Sequence, residues 1–225
     1  MAWVATEDFD GYTPGADLNT QNGGSGWSGA WSKISGTTGV TVETAPTGMS
    51  GQAARFRNPS DEVTYERSLT TAQSAGSVRV KLHITELHTG ATDVGFFLAD
   101  ASNTLVFIRL HPSGVVDAFN NVTDVQIGTY SANTTITIDI EFDDGAQPDT
   151  FRARVDEGTW SSWLTVSGGS YTTITKVVIR DGWAAVLHDF FVDVIEPMPA
   201  DGDPLGDPYL GMRSVIGAPM FGGVG

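Results

Sequence analysis

The chain has 225 residues, no cysteine, and 12 Lys and Arg against 27 Asp and Glu, a net charge of −15. The missing cysteine excludes a disulfide framework, thiolate metal sites and a cysteine nucleophile. The acidic balance, without clustered Lys and Arg, excludes nucleic acid as an expected partner. No apolar run approaches the ~20 residues a membrane helix needs, so no membrane partner is expected. The opening Met1-Ala2-Trp3-Val4-Ala5-Thr6-Glu7-Asp8 has neither a basic start nor an apolar core, and no secretory signal is expected there.

Residues 13–39 are rich in Gly, Ser, Asn and Trp, and are expected to form a long ordered loop pinned by Trp27 and Trp31. In Val78-Arg79-Val80-Lys81-Leu82-His83-Ile84-Thr85 every even position is apolar, which puts one strand face on a core and one in water. Residues 94–99, and residues 105–110 apart from Arg109, are more continuously apolar and read as strands covered on both faces. Asp100-Ala101-Ser102-Asn103 is expected to join them as a hairpin, and His111-Pro112-Ser113-Gly114 to close the next one.

Alternation returns at Ile136, Ile138, Ile140 and Phe142, and again at Phe151, Ala153 and Val155. A longer loop at 143–149 separates these two strands, and Asp156-Glu157-Gly158 is a tight turn. Two further strands are expected at 176–180 and 190–195. No amphipathic helix is visible. Roughly a dozen short strands with Gly-rich turns mean a sandwich or jelly roll. A boundary is expected near Glu196, because residues 197–225 hold five of the ten prolines and seven of the 27 glycines.

Several segments carry a family resemblance. Glu7-Asp8-Phe9-Asp10-Gly11-Tyr12, followed by Gln21-Asn22-Gly23-Gly24-Ser25-Gly26-Trp27-Ser28-Gly29-Ala30-Trp31, resembles the start of laminin G-like, concanavalin A-like domains of bacteria and bacteriophages. Gly51-Gln52-Ala53-Ala54-Arg55-Phe56, Ile136-Thr137-Ile138-Asp139-Ile140 and Phe191-Val192-Asp193-Val194-Ile195 are similar to later strands of the same family, in the same order. The resemblance spans about residues 4–196. It implies an all-β, two-sheet antiparallel jelly-roll sandwich over 1–196, followed by an extended C-terminal arm over 197–225. It does not imply one activity, because this fold carries many.

The candidate chemistry is sparse. Glycoside hydrolysis needs two carboxylates facing one bond. Glucanases of this fold carry Glu-x-Asp-x-x-Glu on one strand, but Asp139-Ile140-Glu141-Phe142-Asp143-Asp144 lacks the last Glu, and Asp139 and Glu141 are expected on a solvated outer face. No catalytic residue is therefore expected, and the chain is read as a non-enzyme. His83, His88, His111 and His188 show no paired ligand spacing, and no metal site is assigned. A structural calcium, drawing on Asp8, Asp10, Asp143, Asp144 or Asp149, is left open. Trp160, Trp163 and Trp183 lie beside turns, where flat rings could stack on sugars, although Trp27, Trp31 and Trp183 read just as easily as plugs at the ends of the sandwich. Asn121-Val122-Thr123 and Asn133-Thr134-Thr135 match the glycosylation sequon but have no expected secretory route.

The arm is the main functional clue. Leu205, Tyr209, Leu210, Met212, Ile216, Met220 and Phe221 are spaced along it as partner-anchoring residues. The expectation is a non-enzymatic structural protein of a bacteriophage virion, a capsid decoration or a tail or fibre accessory. It would dock through the arm onto other virion proteins and display a lectin-like sandwich, with glycans and further copies of the chain as additional candidate partners. The alternative is a carbohydrate-binding module of a secreted bacterial protein.

Overall fold

Every even residue of the two alternating runs, from Val78 to Ile84 and from Ile136 to Phe142, is buried in the computed structural model, and the two runs pair side by side. The structure describes residues 3–58, 62–87, 94–143, 149–166, 173–182 and 188–198. Fourteen strands and no helix occur among them. They are β1 (Ser32–Ser35), β2 (Thr41–Thr44), β3 (Gln52–Asn58), β4 (Val63–Gln73), β5 (Ala75–Ile84), β6 (Val94–Ala99) and β7 (Thr104–Leu110). The remainder are β8 (Val115–Phe119), β9 (Asp124–Thr129), β10 (Thr134–Asp143), β11 (Thr150–Val155), β12 (Leu164–Thr165), β13 (Ile174–Asp181) and β14 (His188–Pro197).

Two seven-stranded sheets face each other. The first has the order β1-β4-β13-β6-β7-β8-β9, the second β12-β11-β10-β5-β14-β3-β2, and neighbouring strands within each run antiparallel. The inward residues interdigitate in one core that includes Phe56, Tyr65, Phe96, Ile108, Ile138, Phe151, Ile179 and Phe190. Phe56 stacks on Phe190 with 5.0 Å between ring centres. Burying each such side chain contributes about 1.5–3 kcal/mol, which explains why no disulfide is needed.

The hairpin turns at 100–103 and 111–114 fall where the sequence places them, because Asp100 Oδ1 accepts the amides of Ser102 and Asn103 and Gly114 adopts a left-handed φ of 80°. Residues 13–39 do not form one continuous loop, however. Ser32–Ser35 pairs with β4 as an edge strand whose side chains all stay partly or fully exposed, so it leaves no apolar trace in the sequence. Strand β7 also departs from expectation: its outward residues Phe107 and Arg109 are only half-buried, so it is not covered on both faces.

The loop ahead of β1 is ordered by a buried ion pair. Arg67 on β4 and Glu7 are 1% and 2% exposed and contact each other directly. Glu7 Oε2 also accepts from Tyr12 Oη at 2.6 Å and Trp31 Nε1 at 3.1 Å. Arg67 donates to the carbonyls of Gly29 and Gly23 and to Asn22 Oδ1, and its guanidinium lies over Trp27 and Trp31. Here the glycines are required by contact: a Cβ on Gly24 would sit 2.1 Å from the Thr6 carbonyl oxygen, and one on Gly26 2.4 Å from that of Val4. Trp27 and Trp31 thus serve the core. The anchoring candidates Leu205, Tyr209, Leu210, Met212, Ile216, Met220 and Phe221 lie outside the described residues.

Candidate functional site

The turn after β11 sets the best-formed aromatic site. Asp156 and Glu157 take left-handed φ values of 49° and 58°, and Asp156 Oδ1 accepts the Thr137 amide at 2.7 Å. The chain then returns along the edge of β11. Ser161 donates its amide to the Ala153 carbonyl at 2.9 Å, and its Oγ accepts the Ala153 amide at 3.1 Å. This pairing places Trp160 and Trp163 over the outward residues of β11.

Arg152 sits at the centre of that patch. Its guanidinium carbon is 4.7 Å from the Trp160 ring centre and 4.8 Å from that of Trp163. Arg154 approaches Trp160 at 4.4 Å. Each contact contributes about 0.5–1 kcal/mol at an exposed site and holds the ring in place. Trp163 remains 44% exposed, so part of its surface faces water. Of the three tryptophans proposed for sugar stacking, the structure brings Trp160 and Trp163 together around one cation, while Trp183 lies outside the described residues.

The neighbouring carboxylates are already committed. Asp139 accepts from Arg79 Nε at 2.6 Å, Arg79 Nη2 at 3.0 Å and Arg154 Nε at 2.9 Å. It is 1% exposed, which corrects the expectation of a solvated outer face. The parity was right, but the two arginines bridge over the carboxylate and exclude water. Glu141 accepts from Arg152 Nε at 2.7 Å. Asp139 is thus shut off from water by its two arginines, while Glu141 pairs with Arg152 through Oε2 and stays partly exposed.

Two places could hold a cation. Asp193, on β14, is 1% exposed, and its Oδ2 has no hydrogen-bond partner among the described residues. Burial, reinforced by the nearby Asp10 carboxylate, pushes its carboxyl up to about 6 against the backbone amides of Val194 and Ser50 and the charge of Lys81. Asp10 in turn accepts the Gln52 amide at 2.7 Å and lies so close to Gly51 that a Cβ there would be 1.8 Å from its Oδ1. A buried oxygen without a donor among the described residues, in the field of the Asp10 carboxylate, is the kind of group a hard oxygen-seeking cation such as calcium takes. Asp10 was among the candidates in the sequence, but Asp193 was not, because a strand Asp among apolar residues carries no loop signature. Asp144 lies outside the described residues.

The second place, His111 with Asp117 and Asp124, gathers three ligand atoms within 4.8 Å. There His111 Nε2 lies 2.7 Å from Asp117 Oδ2, and the Arg109 guanidinium pairs with Asp124 at 3.1 Å, so Arg109 already supplies a positive charge to the cluster.

No protein-family model and no curated protein sequence matches the chain. Among solved structures, a sialidase is similar with a TM-score of 0.63 and 16% identity, over 88% of this chain and 18% of that one. Domain 4 of AbnA, a GH43 extracellular arabinanase from Geobacillus stearothermophilus in complex with arabinotriose, gives 0.49 and 15%, over 88% and 95% of the two chains. Trypanosoma rangeli sialidase gives 0.47 and 13%, over 69% and 26%. The chain thus spans about a fifth of the first sialidase. That likeness carries the architecture, a two-sheet antiparallel β-sandwich.

Proposed function

We propose that the chain is a non-catalytic carbohydrate-binding domain whose Trp160–Trp163 patch stacks on sugar rings. The supporting observation is the pair of indoles fixed around Arg152 on an exposed sheet edge, with Trp163 open to water. A preformed aromatic surface next to Ser162, Glu141 and Arg152 combines the apolar and polar contacts that a sugar face and its hydroxyls need. The locked state of Asp139 and Glu141 supports binding without hydrolysis. The bacteriophage virion reading rests on arm residues outside the described structure, so the observed geometry favours the sugar-binding alternative.

The test is affinity electrophoresis of the full chain through gels containing neutral polysaccharides. Retardation by one of them, lost in Trp163→Ala, is the expected result. Equal retardation of the wild type and Trp163→Ala would refute the assignment of this patch, and release of reducing sugar from the retarding polymer would refute the non-catalytic reading.

The same proposal gives Asp193 and Asp10 a structural calcium. Calcium is expected to raise the melting temperature of the wild type by several degrees and to leave Asp193→Asn unmoved. An equal rise in both proteins would show that the cation acts elsewhere.

A further inference from the structure

On the opposite side of the sandwich, the outer face of the first sheet carries a groove of about 260 Å³. Its floor is Phe97 and Phe107, edge to face with 5.3 Å between ring centres, together with Val178. Its walls include Ser35, Thr64, Ser102 and Asn103, and Ile34, 54% exposed, stands at its rim. Two ion pairs cross it: Lys176 Nζ contacts Glu66 Oε2 at 2.7 Å, and Arg180 Nη2 contacts Glu62 Oε2 at 3.1 Å.

We infer that this groove is a second saccharide site, independent of the Trp160–Trp163 patch and selective for uncharged sugars. The inference extends the carbohydrate-binding reading to the other sheet. Its cations are matched one to one by carboxylates, so the lining is formally neutral. An anionic sugar would have to displace Glu62 or Glu66, and would do so against a chain of net charge −15. A neutral sugar meets no such opposition. Its hydroxyls find donors and acceptors in the paired side chains and in Ser35, Thr64, Ser102 and Asn103, while its C–H face lies on Phe107. The volume is just below the range of about 300–1,000 Å³ typical of drug-sized ligands, which suits one short stretch of a glycan rather than a long helical segment.

Two sites on opposite sheets have a consequence that a single site lacks: one molecule bridges two polymer strands. The experiment uses the full chain in three forms, wild type, Trp163→Ala and the groove-filling Thr64→Trp. Ser102→Trp, which fills the groove from a turn instead of a strand, serves if Thr64→Trp misfolds by circular dichroism. Xylotetraose, laminaritetraose and mannotetraose, with trigalacturonate as the anionic probe, are titrated calorimetrically, and turbidity is followed with the matching polysaccharides.

The expected result is two tetrasaccharides per wild-type chain, one per chain in each variant, no binding of trigalacturonate in the groove, and turbidity from the wild type alone. One site per wild-type chain, unchanged by the groove-filling variants, would overturn the groove while leaving the tryptophan patch standing. One site abolished by groove filling and untouched by Trp163→Ala would leave the groove and overturn the patch. Trigalacturonate binding that groove filling removes would overturn the selectivity for uncharged sugars.

Discussion

The Glu7–Arg67 pair and the Lys176–Glu66 pair are both cation–carboxylate contacts anchored on β4, yet they face opposite ways. Arg67 points into the sandwich, where it and Glu7 are shut off from water; Glu66 points outward, and its side chain and that of Lys176 are 24% and 20% exposed. The difference shows what burial does to an ion pair. The inner pair gathers Tyr12, Trp27, Trp31 and three loop acceptors around itself, because every uncompensated proton or lone pair there is costly. Among the described residues the outer pair has no such shell and borders a groove.

The sharpest way to break the comparison is Glu7→Gln. It leaves the Arg67 guanidinium buried without its counter-charge and is expected to destabilise by about 3–5 kcal/mol, as removal of one partner of a buried pair does. The Glu7→Gln, Arg67→Met double variant is expected to recover part of that loss, and a denaturant-melt double-mutant cycle measures the coupling. Strictly additive losses would mean that the network does not act as a unit. Asp139→Asn comes next. It weakens the hold on two arginines together, but Glu157 still faces Arg79 at 3.4 Å. The expected loss, about 2–3 kcal/mol, lies just below the range for an uncompensated buried charge.

A smaller effect comes from His83, which is 3% exposed beneath Thr47 and hydrogen-bonds Thr135 Oγ1 through Nδ1 at 2.8 Å. Burial pulls its pKa below the ordinary histidine value, against raising contacts with Asn133, Thr47 and Asp189. A depressed folded-state pKa means that the unfolded chain takes up the proton first, so stability is lost as the pH falls below about 6.5. Melting temperatures from pH 7.5 to 5 are expected to drop more in the wild type than in His83→Gln; parallel curves would remove His83 as the cause.

The sheets were legible because period-2 alternation at residues 78–84, 136–142 and 151–155 maps directly onto a buried and an outward face. The hairpins at 100–103 and 111–114 were legible from turn residues. Edge strand β1 was not, since its exposed residues carry no apolar rhythm. Of the site, the tryptophan pair could be read from its place beside a turn, but Arg152 as the centre of the patch could not, because it belongs to another segment and reaches the rings only after β11 pairs with residue 161. The groove was hidden for a related reason. Phe97 and Phe107 lie inside apolar runs that read as core, and only the sheet order turns them onto the outer face next to Lys176 and Glu66.

The weakest effect belongs to the outer pair itself. Lys176→Met removes an ion pair that water already screens, and measured exposed pairs contribute about 0.2–1 kcal/mol. The methionine stem matches the length of the lysine chain in the groove lining, so the stability change is expected to fall within that range and to shrink further in high salt. The change in binding is expected to be larger than the change in stability. Glu66 loses its counter-charge inside the groove, which turns a neutral lining acidic and leaves a lone pair to accept from a sugar hydroxyl. A fall in melting temperature comparable to that of Glu7→Gln would mean that the two faces of β4 are not energetically distinct.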